Sequence, residues 1–417
     1  MKTGLSVWWA TPADPRRHFS SDELLASQQH HRPLRLVGLL SVIGTGVLLA
    51  AASVIASGPL ERFGSGSVEP GALDDGGPPS WLTGIGFAEV LTSRSLLIGA
   101  ALTAVALRLP ATVADAWFEY RFRHGTGPDA DFQPVPISRL LSTVSLLLVL
   151  VWGGIVVLFG AFFWLAAAYT TWPVVIGATV VVALAVVAVG EGAMRSRLAQ
   201  PVEEPLRQRL VGDLIHGSNV DVPVLVGGSA IDAPLAGDHP NAVSVGFGPY
   251  RRIVVTNTLL DQPEPVQRYV LAHELSHLRR RHLPVQSLVT VTTSLGAVGA
   301  VALAAESDRF RSATGLNLLD PLHLPGLVLL VLAVAAALEP LSAWVGRIQE
   351  RTADADALGS VGALAADLTR ELHGQGVPDL DPPWWIRLLA HHPTPAERLE
   401  FAARYRRTAQ RATSQTR

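Results

Sequence analysis

Residues 271–305 read LAHELSHLRRRHLPVQSLVTVTTSLGAVGAVALAA. The stretch opens with two histidines and a glutamate within five residues and passes through three arginines. From Leu283 to Ala305 it carries no charge at all. An uncharged apolar run of that length suffices to cross the hydrocarbon core of a bilayer, which takes roughly 20 residues of helix. The polar half must then lie where the span leaves the membrane, and the rest of the chain can be read outward from that junction.

The composition agrees with a membrane class: 49% of the residues are hydrophobic and only 16% are charged. Besides Val285–Ala305, five stretches qualify as spans: Leu36–Ser57, Leu96–Trp117, Leu140–Ala167, Pro173–Val189 and Leu324–Trp344. Leu96–Trp117 includes Arg108, Pro110 and Asp115, and Leu324–Trp344 includes Glu339 beside Pro340. Ionisable groups inside a span face protein or water rather than lipid. The segment before Leu36 is too long and polar for a cleaved secretory signal, so the first run is expected to stay as an anchor. A net charge of −2 argues against a polyanionic partner, and no nucleic acid is expected. The absence of cysteine excludes disulfides, thiolate ligands and a cysteine nucleophile, so any metal must be held by His, Asp or Glu.

The basic residues orient the spans. Lys2, Arg16, Arg17, Arg32 and Arg35 precede the first; Arg121, Arg123 and Arg139 lie between the second and third; Arg279, Arg280 and Arg281 abut the fifth; the tail is rich in arginine. Six spans put all four groups on the cytoplasmic side, as the positive-inside rule requires. The expected organisation is a cytoplasmic tail over 1–35, four membrane helices with their loops over 36–190, a polar segment over 191–284, two further spans over 285–344, and a charged, Ala-rich helical part over 345–417. Within 191–284 the pattern predicts a helix over Pro201–His216, a strand in VPVLVG from Val222 and another in RRIVVTNTLL. GQGVPDLDPP, 374–383, breaks the C-terminal part.

His273 and His277 stand at i and i+4 on a helix predicted to begin near Pro265, so both imidazoles project from one face and can grip one ion. Glu274 sits beside the first. This is the H-E-x-x-H arrangement, in which zinc lowers the pKa of a water and the glutamate takes its proton and later delivers it to the leaving amine. Three fixed residues in five make a short pattern, and a solvated basic helix end would also produce it. A third ligand is needed, since catalytic zinc takes three protein ligands. RIQERTADADALG, Arg347–Gly359, supplies Glu350 directly after the sixth span, on the same membrane face as His273. Asp354, one turn further, is placed to orient a ligating imidazole. The alternative is a wet helix on which Glu350 and Asp354 alternate with Arg347 and Arg351.

HELSH, an apolar hairpin, RIQERTADADA and then HHPTPAERL resemble the M48 group of membrane zinc peptidases, which has a prenyl-protease (Ste24-like) and a heat-shock (HtpX-like) branch. The group's pattern is H-E-x-x-H, a later E-x-x-x-D, and H-P-x-x-x-x-R, met here by His392, Pro393 and Arg398. NAVSVGFGPYRRIVVTNTLL and LPATVADAWFEYRFRHG are similar to segments of the prenyl-protease branch. The resemblance implies a mainly α, multi-pass fold of about six membrane helices with a cytoplasmic, gluzincin-type zinc peptidase domain carrying a small β-sheet. It implies one zinc per chain on His273, His277 and Glu350, with Glu274 as general base. It places Asn241, Ala242, Val243 and Ser244 along a peptide substrate, makes His392 an oxyanion donor, and leaves Arg398 to pair with Asp354 or another carboxylate. The chain departs from the pattern in having six expected spans where the prenyl-protease branch has seven, Ser276 where glycine is usual, and Arg351 where an aromatic is common. Residues 1–100 show no match.

The expected function is a cell-membrane zinc endopeptidase with its termini and active site on the cytoplasmic side. Its substrates would be membrane-associated or prenylated peptides, or damaged membrane proteins as for the heat-shock branch. Two other classes fit parts of the sequence: a metal-binding sensor without cleavage, and a silent scaffold or transporter in which Arg108, Asp115 and Glu339 mark an intramembrane path.

Overall fold

The computed structural model describes residues 13–56, 93–125, 137–168, 171–198, 200–203, 212, 214, 222–226, 241–361 and 379–415. The helices are α1 (Ser21–Ile55), α2 (Arg94–Gly125), α3 (Ile137–Ala168), α4 (Trp172–Leu198), α5 (Asn257–Leu260), α6 (Glu264–Arg279), α7 (His282–Glu306), α8 (Asp308–Thr314), α9 (Leu324–Val361), α10 (Trp384–Leu389) and α11 (Pro395–Gln415). The strands are β1 (Gln200–Pro201), β2 (Val224–Val226), β3 (Ala242–Val245) and β4 (Arg252–Val255). The chain divides into two compact units, one of residues 1–31, 181–293 and 338–417, the other of residues 32–180 and 294–337.

The second unit is helical. Its core is a cluster of Leu49, Leu96, Ala100, Phe163, Trp172 and Leu324 with their apolar neighbours. Small residues bring the helices together: a Cβ on Gly99 would collide with the carbonyl oxygen of Pro321, and one on Gly326 would press on Leu316. The outward surface is apolar as well, with Val42 at 71%, Val174 at 73% and Leu303 at 74% exposure. A helix that is apolar all round is built for lipid or for a deep core. Four helices are long and apolar enough to cross a bilayer, in Ser21–Ile55, Arg94–Ala114, His282–Glu306 and Pro321–Val361, and shorter apolar helices run over Val151–Ala166 and Trp172–Val187. The protein is a multi-pass membrane protein; five of the six stretches read from the sequence fall within a helix, and Leu36–Ser57 does so as far as Ile55.

The first unit carries a four-stranded sheet of order β1-β2-β4-β3. β2 and β4 run parallel, with Val224 opposite Ile253, while β3 pairs antiparallel to β4, with Ala242 opposite Val255 and Val245 opposite Arg252. β3 is therefore an edge strand. The strand in RRIVVTNTLL stops at Val255 because the Thr256 side chain accepts a hydrogen bond from the Leu259 N–H and caps α5. The helix expected over Pro201–His216 does not start at Pro201, which pairs with Leu225 in β1; most of the rest of that range lies outside the described residues, as do most of the loop after the first span and residues 374–378 of the C-terminal break.

Helix α6 begins with Glu264 and Pro265 in its first turn and ends with His277 and Arg279 in its last, each charge sign suiting the helix dipole. Leu271, Leu275 and Leu278 recur at helical spacing and pack on Ile253, Val255 and Leu259. Truncating any one of these buried leucines to alanine costs about 2–5 kcal/mol. From the same helix, Tyr269 and Ala272 meet Ala357, Leu358 and Ala402, which ties α6 to α9 and α11. With its apolar stripe so engaged, α6 turns His273, Glu274 and His277 towards a cavity of about 530 Å³.

Candidate active site

The two histidines of α6 point their Nε2 atoms at one spot, 3.1 Å apart. Glu350, from the middle of α9, brings one carboxylate oxygen to 3.4 Å from His273 Nε2 and the other to 3.4 Å from His277 Nε2. Two donors each about 2.0–2.1 Å from a tetrahedrally coordinated zinc lie about 3.3–3.4 Å apart, so these three edges suit such an ion. Glu274 is also near, and the donor atoms of His273, Glu274 and His277 fall within 4.8 Å of one another. Its carboxylate, however, accepts the Ser244 backbone N–H at 2.7 Å. Glu274 thus bridges α6 to the edge strand, and Glu350 is the carboxylate that stands opposite both Nε2 atoms.

Each histidine is held from behind. His273 Nδ1 lies 3.1 Å from Asp354 Oδ1, and Arg398 contacts Asp354 at 3.1 Å and Glu350 at 2.8 Å. Tyr269 donates its hydroxyl to the same Asp354 oxygen at 3.4 Å. Glu350 and Asp354 are buried, so this guanidinium neutralises two carboxylates otherwise withdrawn from water. Burial alone would lower the Arg398 pKa, but the two carboxylates outweigh it and hold it above the usual value. On the other flank, His277 Nδ1 is 3.0 Å from His282 Nδ1, and His282 Nε2 is 3.2 Å from Thr352 Oγ1. The Thr352 hydroxyl donates to the Gln349 carbonyl at 2.7 Å. One set of tautomers satisfies every step: His277 Nδ1–H donates to His282 Nδ1, and His282 Nε2–H donates to Thr352. That leaves His277 Nε2 with a free lone pair.

The electrostatics follow. Burial lowers the His273 pKa, but hydrogen bonds to Asp354 and Glu350 outweigh it and carry the group up to about 10. Burial and the neighbouring His273 charge push His277 down to about 3. The clustered carboxylates thus favour positive charge at this point. Burial raises the Glu274 pKa, with Glu350 adding to it, while His273 and the Ser244 N–H oppose the rise. A base drawn up from the ordinary carboxylate range is better matched to proton transfer near neutrality.

Asn241, Ala242, Val243 and Ser244 line the same cavity. Thr256 N–H donates to the Asn241 carbonyl at 2.9 Å, making residues 241 and 256 a hydrogen-bonded antiparallel pair. By alternation, the main-chain groups of Ala242 and Ser244 face the outer edge, with the Ser244 N–H held by Glu274 and the Ala242 N–H by the Asn241 side-chain oxygen at 2.9 Å. His392 also lines the cavity, 74% exposed, with Nδ1 3.1 Å from Glu350 Oε2. Its neighbour His391 pairs with Glu339 at 2.7 Å and packs so closely on Gly346 that a Cβ there would lie 3.0 Å from its ring. Pro395 opens α11 beyond them. The segment is fastened by Arg347, which donates to the carbonyls of Arg387, Leu388 and Ala390 at 3.0, 3.3 and 2.6 Å.

Asn241, Ala242, Val243, Ser244, His273, Glu274, His277, Glu350, His392 and Arg398 thus line one cavity, with Asp354 behind His273. Glu350 and Asp354 are not half of a wet helix face, and Arg351, like them, is buried. Ser276, in place of the usual glycine, donates its hydroxyl to Asp356 at 2.7 Å beside the Arg280–Asp356 ion pair at 2.8 Å. The sequence reading missed His282, Thr352 and Tyr269. The third histidine of the opening stretch was the available signal for the first of them.

The model of peptidase family M48 matches residues 204–406. Among solved structures, the crystal structure of S. mikatae Ste24p is similar, with a TM-score of 0.45 and 16% identity, covering 86% of this chain and 98% of that one. Among curated proteins none matches. Every residue of the site lies within residues 204–406, the segment that matches the peptidase family M48 model, and that match supports a metallopeptidase.

Proposed function

We propose that the protein is a zinc-dependent endopeptidase that cleaves membrane-associated or prenylated peptides at the cytoplasmic face, with six spans and one zinc per chain held by His273, His277 and Glu350. The observation that carries the reading is the donor triangle, with edges of 3.1, 3.4 and 3.4 Å. A zinc ion bound there supplies Lewis acidity towards water and the substrate carbonyl. The chain's own residues do the rest. The peptide joins the outer edge of β3 as an added strand, aligned by the main chain of Ala242 and Ser244. Glu274 removes a proton from the attacking water and returns it to the departing amine nitrogen. His392, exposed and within the cavity, donates a hydrogen bond to the oxygen on which negative charge develops. Asp354 and Arg398 keep His273 and Glu350 in place.

Arginine placement supports the cytoplasmic orientation, since Arg279, Arg280 and Arg281 stand immediately before α7. A sensor would keep the metal, and a transporter would have no use for Glu274. Protein purified in detergent is expected to contain one zinc per chain, and Glu274→Gln is expected to retain it while peptide hydrolysis falls at least a thousandfold, on the order of the loss of an essential base. Metal-free wild type would remove the site, and hydrolysis persisting in the glutamine variant would remove the mechanism.

A further inference from the structure

Beyond the end of β3 a second cavity, of about 340 Å³, shares His277 and Leu283 with the first. Phe247 and Leu278 give it apolar walls, and Arg251 and Arg281 are the two charged residues that line it. Arg251 Nε donates to the Gly248 carbonyl of its own turn at 3.0 Å. Among the described residues, neither arginine has a carboxylate within ion-pairing distance.

Arg281 occupies an unusual position. Its φ is +56°, and it is the only non-glycine with positive φ among the described residues. It follows the end of α6, in the left-handed conformation that normally selects glycine or asparagine. A long cationic side chain kept where the backbone favours glycine calls for an account of what that side chain does.

The direction of the edge strand supplies that account. A peptide lying antiparallel to β3 runs from the Val245 end towards the Ala242 end, so residues before the scissile bond pass the second cavity. Glu274 marks the reacting centre by its bond to Ser244. Phe247 lies three residues further along, just past the end of β3 at Val245, so the cavity flanks the second to fourth residue before the scissile bond. We propose that this cavity is a substrate subsite for an acidic side chain, Asp or Glu, at one of those positions, recognised by Arg251 and Arg281 through charge-assisted hydrogen bonds. The proposal rests on the hydrolase reading and on the added-strand alignment, and it names a substrate class within them.

The test uses the full chain purified in detergent with zinc, and quenched fluorescent peptides that differ only in carrying Glu, Gln or Lys at the second, third or fourth residue before the cleaved bond. The readout is the Glu-to-Lys ratio of kcat/KM within one preparation, so a general change in activity cancels. At one of the positions the wild type is expected to prefer Glu over Lys by on the order of tenfold or more. Arg281→Gly, a change the left-handed backbone welcomes, brings the ratio close to one, and Arg281→Glu inverts it. An unchanged ratio in Arg281→Glu, or a flat ratio in the wild type, overturns the subsite while leaving the hydrolase intact. A flat ratio combined with loss of binding to anionic-lipid vesicles in Arg281→Gly overturns it in favour of a lipid headgroup. A wild type that cleaves none of the peptides overturns the hydrolase reading and the subsite with it.

Discussion

The two histidines of α6 are one turn apart, yet their supports differ in kind. Behind His273 stands a charged set, Asp354 and Arg398, which also reaches Glu350. Behind His277 stands a neutral relay of His282, Thr352 and a helix carbonyl. The charged flank stabilises a cation or a proton on His273, whereas the neutral flank only selects which ring nitrogen of His277 is free. One side of the site governs charge, and the other governs geometry.

The sharpest way to break that contrast is to remove the guanidinium. Arg398→Met leaves two buried carboxylates without their counter-charge, and unfolding in denaturant is expected to show a loss of about 3–5 kcal/mol together with incomplete zinc occupancy. A stability loss under about 1 kcal/mol would show that the charged flank is not structural.

Next comes a paired substitution. Asp354→Asn keeps an acceptor for His273 but removes the charge, and zinc affinity by chelator competition is expected to fall about 100-fold. His282→Phe removes the acceptor for His277 Nδ1–H without altering any charge, and the expected fall is about tenfold. Equal losses would erase the distinction between the flanks. The smallest effect belongs to Thr352→Val, which preserves shape and leaves His282 Nε2–H unpaired. About 1 kcal/mol, or roughly a fivefold weaker zinc affinity, is expected there, and no change would mean that the relay ends at His282.

The same flanks show which parts of the fold could be read from sequence. The apolar helices were legible because spanning a bilayer imposes length and absence of charge on each segment separately, without reference to its neighbours. His273 and His277 were legible through helical spacing, and Glu350 and Asp354 through their place directly after the last apolar stretch. His282 was not. Five residues on a helix advance about 500°, which puts it some 140° away from His277, and it meets that ring only because the chain turns at Arg281 between α6 and α7. The overlong strand in RRIVVTNTLL failed for a similar reason: Thr256 looks like a strand residue but serves as a cap. The pairing of His391 with Glu339 joins residues 52 apart and leaves no local pattern.

Arg347 reaches across to the last carbonyls of α10, groups that a helix end leaves without internal partners. Its partners are dipoles rather than opposite charges, so the seam resists ionic strength in a way that an exposed ion pair would not. All three contacts come from one nitrogen, Nη1, at the tip of the side chain. The loop bearing His392 is therefore registered to α9 at a single point, and its alignment with Glu350 depends on where that one nitrogen is held.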